Sequence, residues 1–248
     1  MKKIAILTAA GIGSRMKLDT PKQFLYIDGK PVIIHTMEAF QNHPDIDGII
    51  VVCLDGWHDI LESYAKEYNI TKLTSIVSGG KSGQESIKNG LDEANRLFTP
   101  DTMVLIHDGN RPMVSQEIIS NSIAVCQVYG NAVAVIPCTE VVFECDDYEN
   151  ASRLLDRDKL KRTQTPHTFI LKDILEVHNE AIEKGITNEA ASCSLYVKLG
   201  RQIHFSYGSE RNFKLTTRDD LDIFNSMVEN SKKPKTYLLS NKDNKKDE

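Results

Sequence analysis

A chain of 248 residues, 40% hydrophobic and 26% charged, has an ordinary globular composition and the length for one large α/β domain or two small ones. Its formal net charge of −5 offers no global basic field for nucleic acid, and no apolar run approaches the ~18–20 residues of a membrane span. The five cysteines, Cys53, Cys126, Cys138, Cys145 and Cys193, are widely spaced and form no Cys-x-x-Cys pair, which argues against a disulfide framework or a zinc site and for a reducing cytoplasm.

The chain opens MKKIAILTAAGIGSRMKLDTPKQF, and two readings compete there. Lys2 and Lys3 followed by the apolar run Ile4–Ala10 have the form of a secretory signal, with Ala9-Ala10 as a cleavage site. That run only just reaches the ~7–15 residues of such a core, and the sequence then turns glycine-rich and basic. The other reading is a first β-strand delivering a phosphate-binding loop. Gly11 and Gly13 let backbone N–H groups approach phosphate oxygens, and Arg15 and Lys22 neutralise charge. The spacing is not Gly-x-Gly-x-x-Gly, because Met16 holds the third position, and no Walker Gly-Lys-Ser/Thr follows. A tight turn with solvated cations is the plain alternative.

Further along, Lys3–Leu7, Gly48–Leu54, Met103–His107 and Ala132–Pro137 are short apolar runs without polar alternation, the pattern of parallel strands covered on both faces. Helical periodicity fills the gaps: Pro31–Gln41, Trp57–Tyr68, Gln84–Leu97 and Gln116–Tyr129. This alternation predicts an α/β fold, a single Rossmann-like, doubly wound, mostly parallel sheet. It breaks after Pro137. Val141–Glu144 is short and β-branched, and the charged stretch Asp146–Phe169 reads as a projecting β-arm, an insertion at about 138–169 rather than core. Helices resume at Lys172–Lys184 and Asn188–Leu199, a strand follows at Gln202–Ser206, and Thr217 is placed to cap a last helix with Asp219 and Asp220 in its first turn. The domain is expected over 1–230. From Ser231 the tail has six lysines against three acids and the composition of a disordered segment.

Ligands in open α/β sheets bind at the carboxyl ends of the strands. There the sequence offers Gly79-Gly80 ahead of a helix, and Asp108 with Arg111 after Met103–His107. A lone carboxylate suits Mg²⁺, which takes its other ligands from water and phosphate. Asp108 could equally be a turn residue ahead of Gly109-Asn110, and His107 reads as a packed strand residue. No activated nucleophile stands out. Phosphoryl and nucleotidyl transfer need none, since they proceed by positioning and charge stabilisation.

The segments AAGIGSRM, PKQFL, GKPVIIHT, SGGKSGQESIKNGL, HDGNRP, DRDKL, QTPHTF, TNEA and NFKLTT occur in this order. Together, over about Lys2 to Met227, they resemble the CTP-dependent alditol-phosphate cytidylyltransferases, which include the 2-C-methylerythritol 4-phosphate and ribitol-5-phosphate enzymes. The resemblance implies that CTP and an alditol phosphate give a CDP-alditol and pyrophosphate, for isoprenoid precursors or for a surface polymer. It implies that Ala9, Ala10, Gly11 and Gly13 line the CTP loop, that Arg15 and Lys22 hold the triphosphate, and that Gly80 and Ser86 contact the cytidine. Asp108 would serve Mg²⁺, Arg111 the acceptor and Lys214 the α-phosphate. It further implies a homodimer whose exchanged arm brings Arg157 and Thr165 to the partner's acceptor site. The attacking phosphate has a second pKa of about 6 and is largely dianionic at neutral pH, so no general base is required.

Some positions depart from the family pattern. Lys81 and Gly83 stand where an acidic residue and an arginine are usual. Glu140-Val141 replaces Asp-Thr on the acceptor side, and Asn188 replaces an aspartate. The four residues Lys17–Thr20 between Met16 and Pro21, and the Ala9-Ala10-Gly11 start, match the methylerythritol branch, so the scaffold resembles that branch while its acceptor positions do not. A dinucleotide-dependent oxidoreductase would need a third glycine in the first loop and an acidic residue about 20 residues on. A non-catalytic nucleotide-binding module would not need Arg15, Lys22, Asp108 and Lys214 together.

Overall fold

The computed structural model describes residues 1–11, 20–147, 149–189 and 191–231. In chain order, strand β1 (Lys3–Ala9) is followed by a small hairpin, β2 (Tyr26–Ile27) and β3 (Lys30–Pro31), and helix α1 (Val32–Gln41). Next come β4 (Gly48–Cys53), α2 (His58–Glu67), β5 (Leu73–Ser78), α3 (Gly83–Leu97), β6 (Met103–Asp108), α4 (Gln116–Tyr129) and β7 (Asn131–Pro137). The arm is β8 (Val142–Glu144) and β9 (Arg153–Leu155), after which β10 (Lys161–Ile170), α5 (Leu171–Glu183), α6 (Ser192–Lys198), β11 (Phe205–Tyr207) and α7 (Arg218–Ser231) complete the described chain.

Seven strands form one sheet in the order β11-β7-β10-β6-β1-β4-β5. All adjacent pairs are parallel except those made by β10, which runs antiparallel to both β6 and β7. The sheet is mostly parallel and covered on both faces, as expected. The strands show why their apolar runs are unbroken. Ala5, Leu7, Ile49 and Val51 face one core with helices α1, α2 and α4, while Ile4, Ile6, Ile50 and Val52 face a second core with α3, α5 and α6. A strand that must fill both layers has no position left for a polar residue.

Helix ends follow local chemistry. The Ser115 hydroxyl accepts from the Ile118 N–H at 3.3 Å, and α4 ends on Gly130 at φ +80, a left-handed position that glycine takes without strain. Thr217 caps α7 as the sequence suggests: its hydroxyl accepts from the Asp220 N–H at 3.3 Å, and the Asp220 carboxylate accepts from the N–H groups of Thr216 and Thr217, each at 2.7 Å.

Several expectations are corrected. The insertion is shorter than 138–169, because Lys161–Ile170 is not arm but an inner strand of the sheet. Gln164, His167 and Thr168 are buried, and their polarity is satisfied internally. Gln164 donates to the Ser209 carbonyl at 2.9 Å, and Thr168 and Ser122 share a bond of 2.6 Å. Strand β5 has no counterpart in the sequence reading; as an edge strand it alternates Leu73, Ile76 and Val77 with threonine and serines and is only half-buried. Helix α6 is shorter than Asn188–Leu199, since its N-terminal side is a loop tied to α3: Gln84 donates to the Ile186 carbonyl at 2.6 Å and accepts from the Glu189 N–H at 2.9 Å. Strand β11 begins later than Gln202, and its Phe205 and Tyr207 side chains are exposed. The lysine-rich tail from 232 onward lies outside the described residues.

Helix α3 approaches the sheet through Gly90, where a Cβ would fall 2.6 Å from Ile6 Cγ2 and 2.9 Å from Val52 Cγ2. Both neighbours are β-branched core side chains and cannot swing away. Gly90→Ala should therefore lower stability by about 1–3 kcal/mol through overpacking, against the ~1 kcal/mol gain that alanine brings to a helix interior. Urea unfolding checks the sign; a stabilised variant would show that α3 is free to lift.

Candidate active site

A cavity of about 440 Å³ opens at the carboxyl ends of β1, β4, β5 and β6, and Ala9–Gly11, Leu54, Gly80–Gly83, Ser86, Asp108 and Asn110 line it together with Lys22, Gln23 and Lys214. Two glycine segments meet at one side. A Cβ at Gly79 would lie 2.3 Å from Ala10 Cβ, and one at Gly80 would overlap the Glu85 side chain, so both positions exclude any larger residue. Ser86 knits the second segment: its hydroxyl accepts from the Gly80 N–H at 3.0 Å and donates to the Ser82 carbonyl at 2.9 Å. The first segment is held by Gln23, buried, whose amide donates to the carbonyls of Ala9 at 2.7 Å and Gly11 at 3.1 Å. The next residue toward the N-terminus, Lys22, lines the cavity. Gly13 and Arg15 lie outside the described residues.

The opposite side is built around Asp108. Its Oδ2 accepts from Arg111 Nε at 2.8 Å and its Oδ1 from Lys214 Nζ at 2.9 Å. Burial opposes ionisation of this carboxyl, but the Lys214 and Arg111 charges outweigh burial and hold it well below the usual carboxylate range. Lys214 belongs to the loop after β11, far away in sequence, and that loop is stitched down by side chains. Asn110 and Leu215 exchange two bonds of 2.6 and 2.9 Å, Asn212 donates to the Thr165 carbonyl at 2.8 Å, and Arg111 Nη1 donates to the Asn212 carbonyl at 2.8 Å. His107 is fully buried, and burial pushes its pKa down to about 4.

The structure thus gathers Ala9, Ala10, Gly11, Lys22, Gly80, Ser86, Asp108 and Lys214 around one cavity. Arg111 is nearby but does not line it; its guanidinium is occupied by Asp108 and the Asn212 carbonyl. Val141 and Arg157 are on the arm. Val141 is exposed, and Arg157 donates to the Thr139 carbonyl at 2.8 Å. Thr165 corrects an expectation: it is not on the arm but on β10, beside Asp108 of its own chain, where its hydroxyl accepts from the Asp108 N–H at 3.1 Å. Gln23, Gln164 and Asn212 escape a sequence reading because their partners are backbone groups of other segments.

Among the described residues no group of three or more His, Cys, Asp or Glu side chains converges as a metal cluster. The donor set is one carboxylate whose oxygens, after Arg111 and Lys214, each keep acceptor capacity. That fits Mg²⁺ shared with substrate phosphates and water and does not fit a metal needing several protein ligands.

Glycine loops at the ends of parallel strands, facing a carboxylate flanked by cations, define an α/β nucleotidyltransferase. Residues 3–230 match the model of the family described as IspD, 2-C-methyl-D-erythritol 4-phosphate cytidylyltransferase, and the chain belongs to that family. It is 38% identical to a ribitol-5-phosphate cytidylyltransferase of Lacticaseibacillus paracasei over 90% of this chain and 97% of that one. It is 36% identical to a 2-C-methyl-D-erythritol 4-phosphate cytidylyltransferase of Clostridium acetobutylicum over 88% and 93% of the two chains. The fold is similar to that of the solved 4-diphosphocytidyl-2C-methyl-D-erythritol synthase of Anaerococcus prevotii, with TM-score 0.78 at 24% identity over 92% of this chain and 96% of that one.

Because the folded pKa of Asp108 lies below the unfolded value of about 3.9, its ion pairs stabilise the fold fully above that pH, weaken as pH falls below it and are lost only as pH passes the lower, folded value. Asp108→Asn should lower stability at pH 7, since it leaves the shielded Arg111 without its carboxylate. The deficit relative to wild type should shrink as pH falls below about 4. Denaturant unfolding at pH 7, 5 and 3 tests this; a deficit constant across the series would mean that the Asp108 charge contributes nothing.

Proposed function

We propose that this cytidylyltransferase transfers the cytidylyl group of CTP to ribitol 5-phosphate, releasing pyrophosphate. The observation that carries the nucleotide half is the cavity in which the two glycine segments face Lys22, Asp108 and Lys214. The phosphate dianion of the acceptor attacks the α-phosphorus, a new P–O bond forms, and the bond to the bridging oxygen of pyrophosphate breaks. The barrier is repulsion between a dianion and a triphosphate. Lys214 meets the α-phosphate, Lys22 takes the charge growing on pyrophosphate together with Arg15, and the backbone of Ala9–Gly11 cradles the chain of phosphates. Gly80 and Ser86 face the cytidine. A divalent cation held by Asp108 would supply further neutralisation of the triphosphate.

The acceptor assignment rests on relatives of this chain, matched over nine-tenths of both lengths, that are named for ribitol 5-phosphate. Ribitol 5-phosphate lacks the branch methyl of methylerythritol phosphate and carries one more hydroxylated carbon, so the two acceptors differ where a hydroxyl-reading site discriminates, and valine at 141 removes the hydroxyl that the family resemblance places on the acceptor side. A second reading, methylerythritol phosphate, is favoured by the family description and by the loop spacing Lys17–Thr20. Wild-type protein with CTP and Mg²⁺ should release pyrophosphate with a higher kcat/KM for ribitol 5-phosphate than for methylerythritol phosphate. Val141→Thr should shift the ratio by about tenfold toward the latter, the scale of one hydrogen bond. Faster wild-type turnover of methylerythritol phosphate, unaltered by Val141→Thr, would establish the second reading.

The arm completes the proposal. Val141, Phe143 and Leu154 are exposed on a two-stranded hairpin with no core of its own, and isolated hairpins of this size are marginal in water. A second copy covering them two-fold would bring Arg157 and Val141 to the neighbouring acceptor site. Sedimentation should show a dimer for wild type and monomers for Phe143→Asp/Leu154→Asp; a variant that remains dimeric would place the interface elsewhere. Among the described residues no helix is long and apolar enough to cross a membrane, and the unpaired cysteines accord with work in the cytoplasm.

A further inference from the structure

His107 belongs to no role discussed so far, yet it touches Arg111 and Thr165, which both hydrogen-bond to Asp108 at the cavity and which the family resemblance assigns to the acceptor. Its Nε2 is 3.2 Å from the Arg111 carbonyl and its Nδ1 is 3.0 Å from Thr165 Oγ1. The ring is fully buried, with Phe40 tilted against it at 5.2 Å between centroids, so neither nitrogen has water as an alternative partner. A carbonyl oxygen can only accept. The ring proton is therefore on Nε2, and Nδ1 is left as an acceptor. The partner of Nδ1 must donate, so the Thr165 O–H points into the ring. The same Thr165 oxygen already accepts from the Asp108 N–H at 3.1 Å. A hydroxyl has one donor and two acceptor sites; here the donor and one acceptor site are committed, and a single lone pair remains on a residue that is partly exposed.

We propose that His107 is a positioning residue that fixes the polarity of Thr165, turning its hydroxyl into an acceptor-only group that reads an alditol hydroxyl and not the acceptor's phosphate. A phosphate dianion carries no proton to give, whereas every hydroxyl of the sugar alcohol does. The opposite tautomer, with Nδ1–H donating to Thr165, would free the Thr165 proton for a phosphate oxygen, but it would set a bare Nε2 lone pair against the Arg111 carbonyl. His107 thus sorts the two ends of the acceptor: cations for the phosphate, Thr165 for the carbinol. The same ring, through Arg111, braces the turn that carries Asp108.

This inference rests on the acceptor site proposed above, and two kinds of measurement separate its failure from the failure of that reading. The first needs no turnover. In full-length protein labelled with ¹⁵N-histidine, long-range ¹H–¹⁵N correlation should show the His107 ring protonated at Nε2 alone, the resonance being the one of seven histidines missing in His107→Gln. Thr165→Val should shift its Nδ1 signal. A ring protonated at Nδ1 or at both nitrogens, or one indifferent to Thr165→Val, overturns the proposal.

The second is kinetic, with CTP saturating and ribitol 5-phosphate or methylerythritol phosphate varied. In His107→Asn the amide oxygen stands where Nδ1 was and preserves the Thr165 bond. In His107→Gln the amide nitrogen stands near Nε2 and loses it. His107→Gln should raise KM for the alditol phosphate about tenfold, the scale of one unmade buried bond, leaving KM for CTP unchanged. His107→Asn should stay within about twofold of wild type. In a Thr165→Val background His107→Gln should add nothing, because the two changes remove one interaction. Equal effects of Asn and Gln, or additivity with Thr165→Val, would reduce His107 to a packing residue.

Discussion

The site depends on a single shielded carboxylate. Asp108 is reached from its own turn by Arg111 and from the distant 208–215 loop by Lys214. Without that charge the loop would keep its hydrogen bonds, the Arg162–Glu210 ion pair and the buried Leu215, but Lys214 would lose the carboxylate that directs it toward the cavity. The pair also sets the resting charge of the site. Two cations meet one anion beside a cavity that Lys22 lines as well, so the site is prepared for a polyanion before one arrives, and little reorganisation is needed when charge develops in the reaction.

The two walls of the cavity are built on different principles. The glycine wall comes from close backbone approach: Gly79 against Ala10, Gly80 against Glu85, and Gln23 holding the loop carbonyls. It is made from segments that follow β1 and β5. The charged wall is made of side chains fastened by hydrogen bonds, and it recruits β6, β10 and the loop after β11. The parallel half of the sheet therefore frames the nucleotide side, and the antiparallel insertion β10 brings Thr165 against Asp108.

Much of this was legible in the residues themselves. β1, β4 and β6 read clearly because each fills two cores, β7 because its apolar run is nearly all buried, and α4 because its helical periodicity spans Gln116–Tyr129, the range the structure shows. Asp108 and the glycine segments were legible because strand-end positions carry chemistry in this fold class. β10 was not, because burial of Gln164, His167 and Thr168 depends on partners such as Ser209 and Ser122 that no local pattern announces. The positions of Gln23 and Asn212 were hidden for the same reason: each is defined by backbone groups brought near only by the fold. The burial of His107 in its strand was legible, but its hydrogen-bond partners were not. Thr165 was misassigned to the arm because its neighbours, Lys161 and Arg162, are charged and exposed.

Strand β10 also governs the order in which the chain can assemble. Among the described residues it alone bridges β6 and β7, so within that sheet β7 and β11 have no ladder to the remaining strands until residues 161–170 are available. During synthesis, β1, β4, β5 and β6 can pair as soon as residue 108 has emerged, while β7 must wait for a strand made more than twenty residues after its own end. These long-separation pairings belong to the slow part of folding, and an emerging chain passes through a stage with an open edge on β6. The last surfaces to close are those that form the acceptor side of the cavity, so a nascent chain acquires its nucleotide-facing wall before it acquires the means to use it.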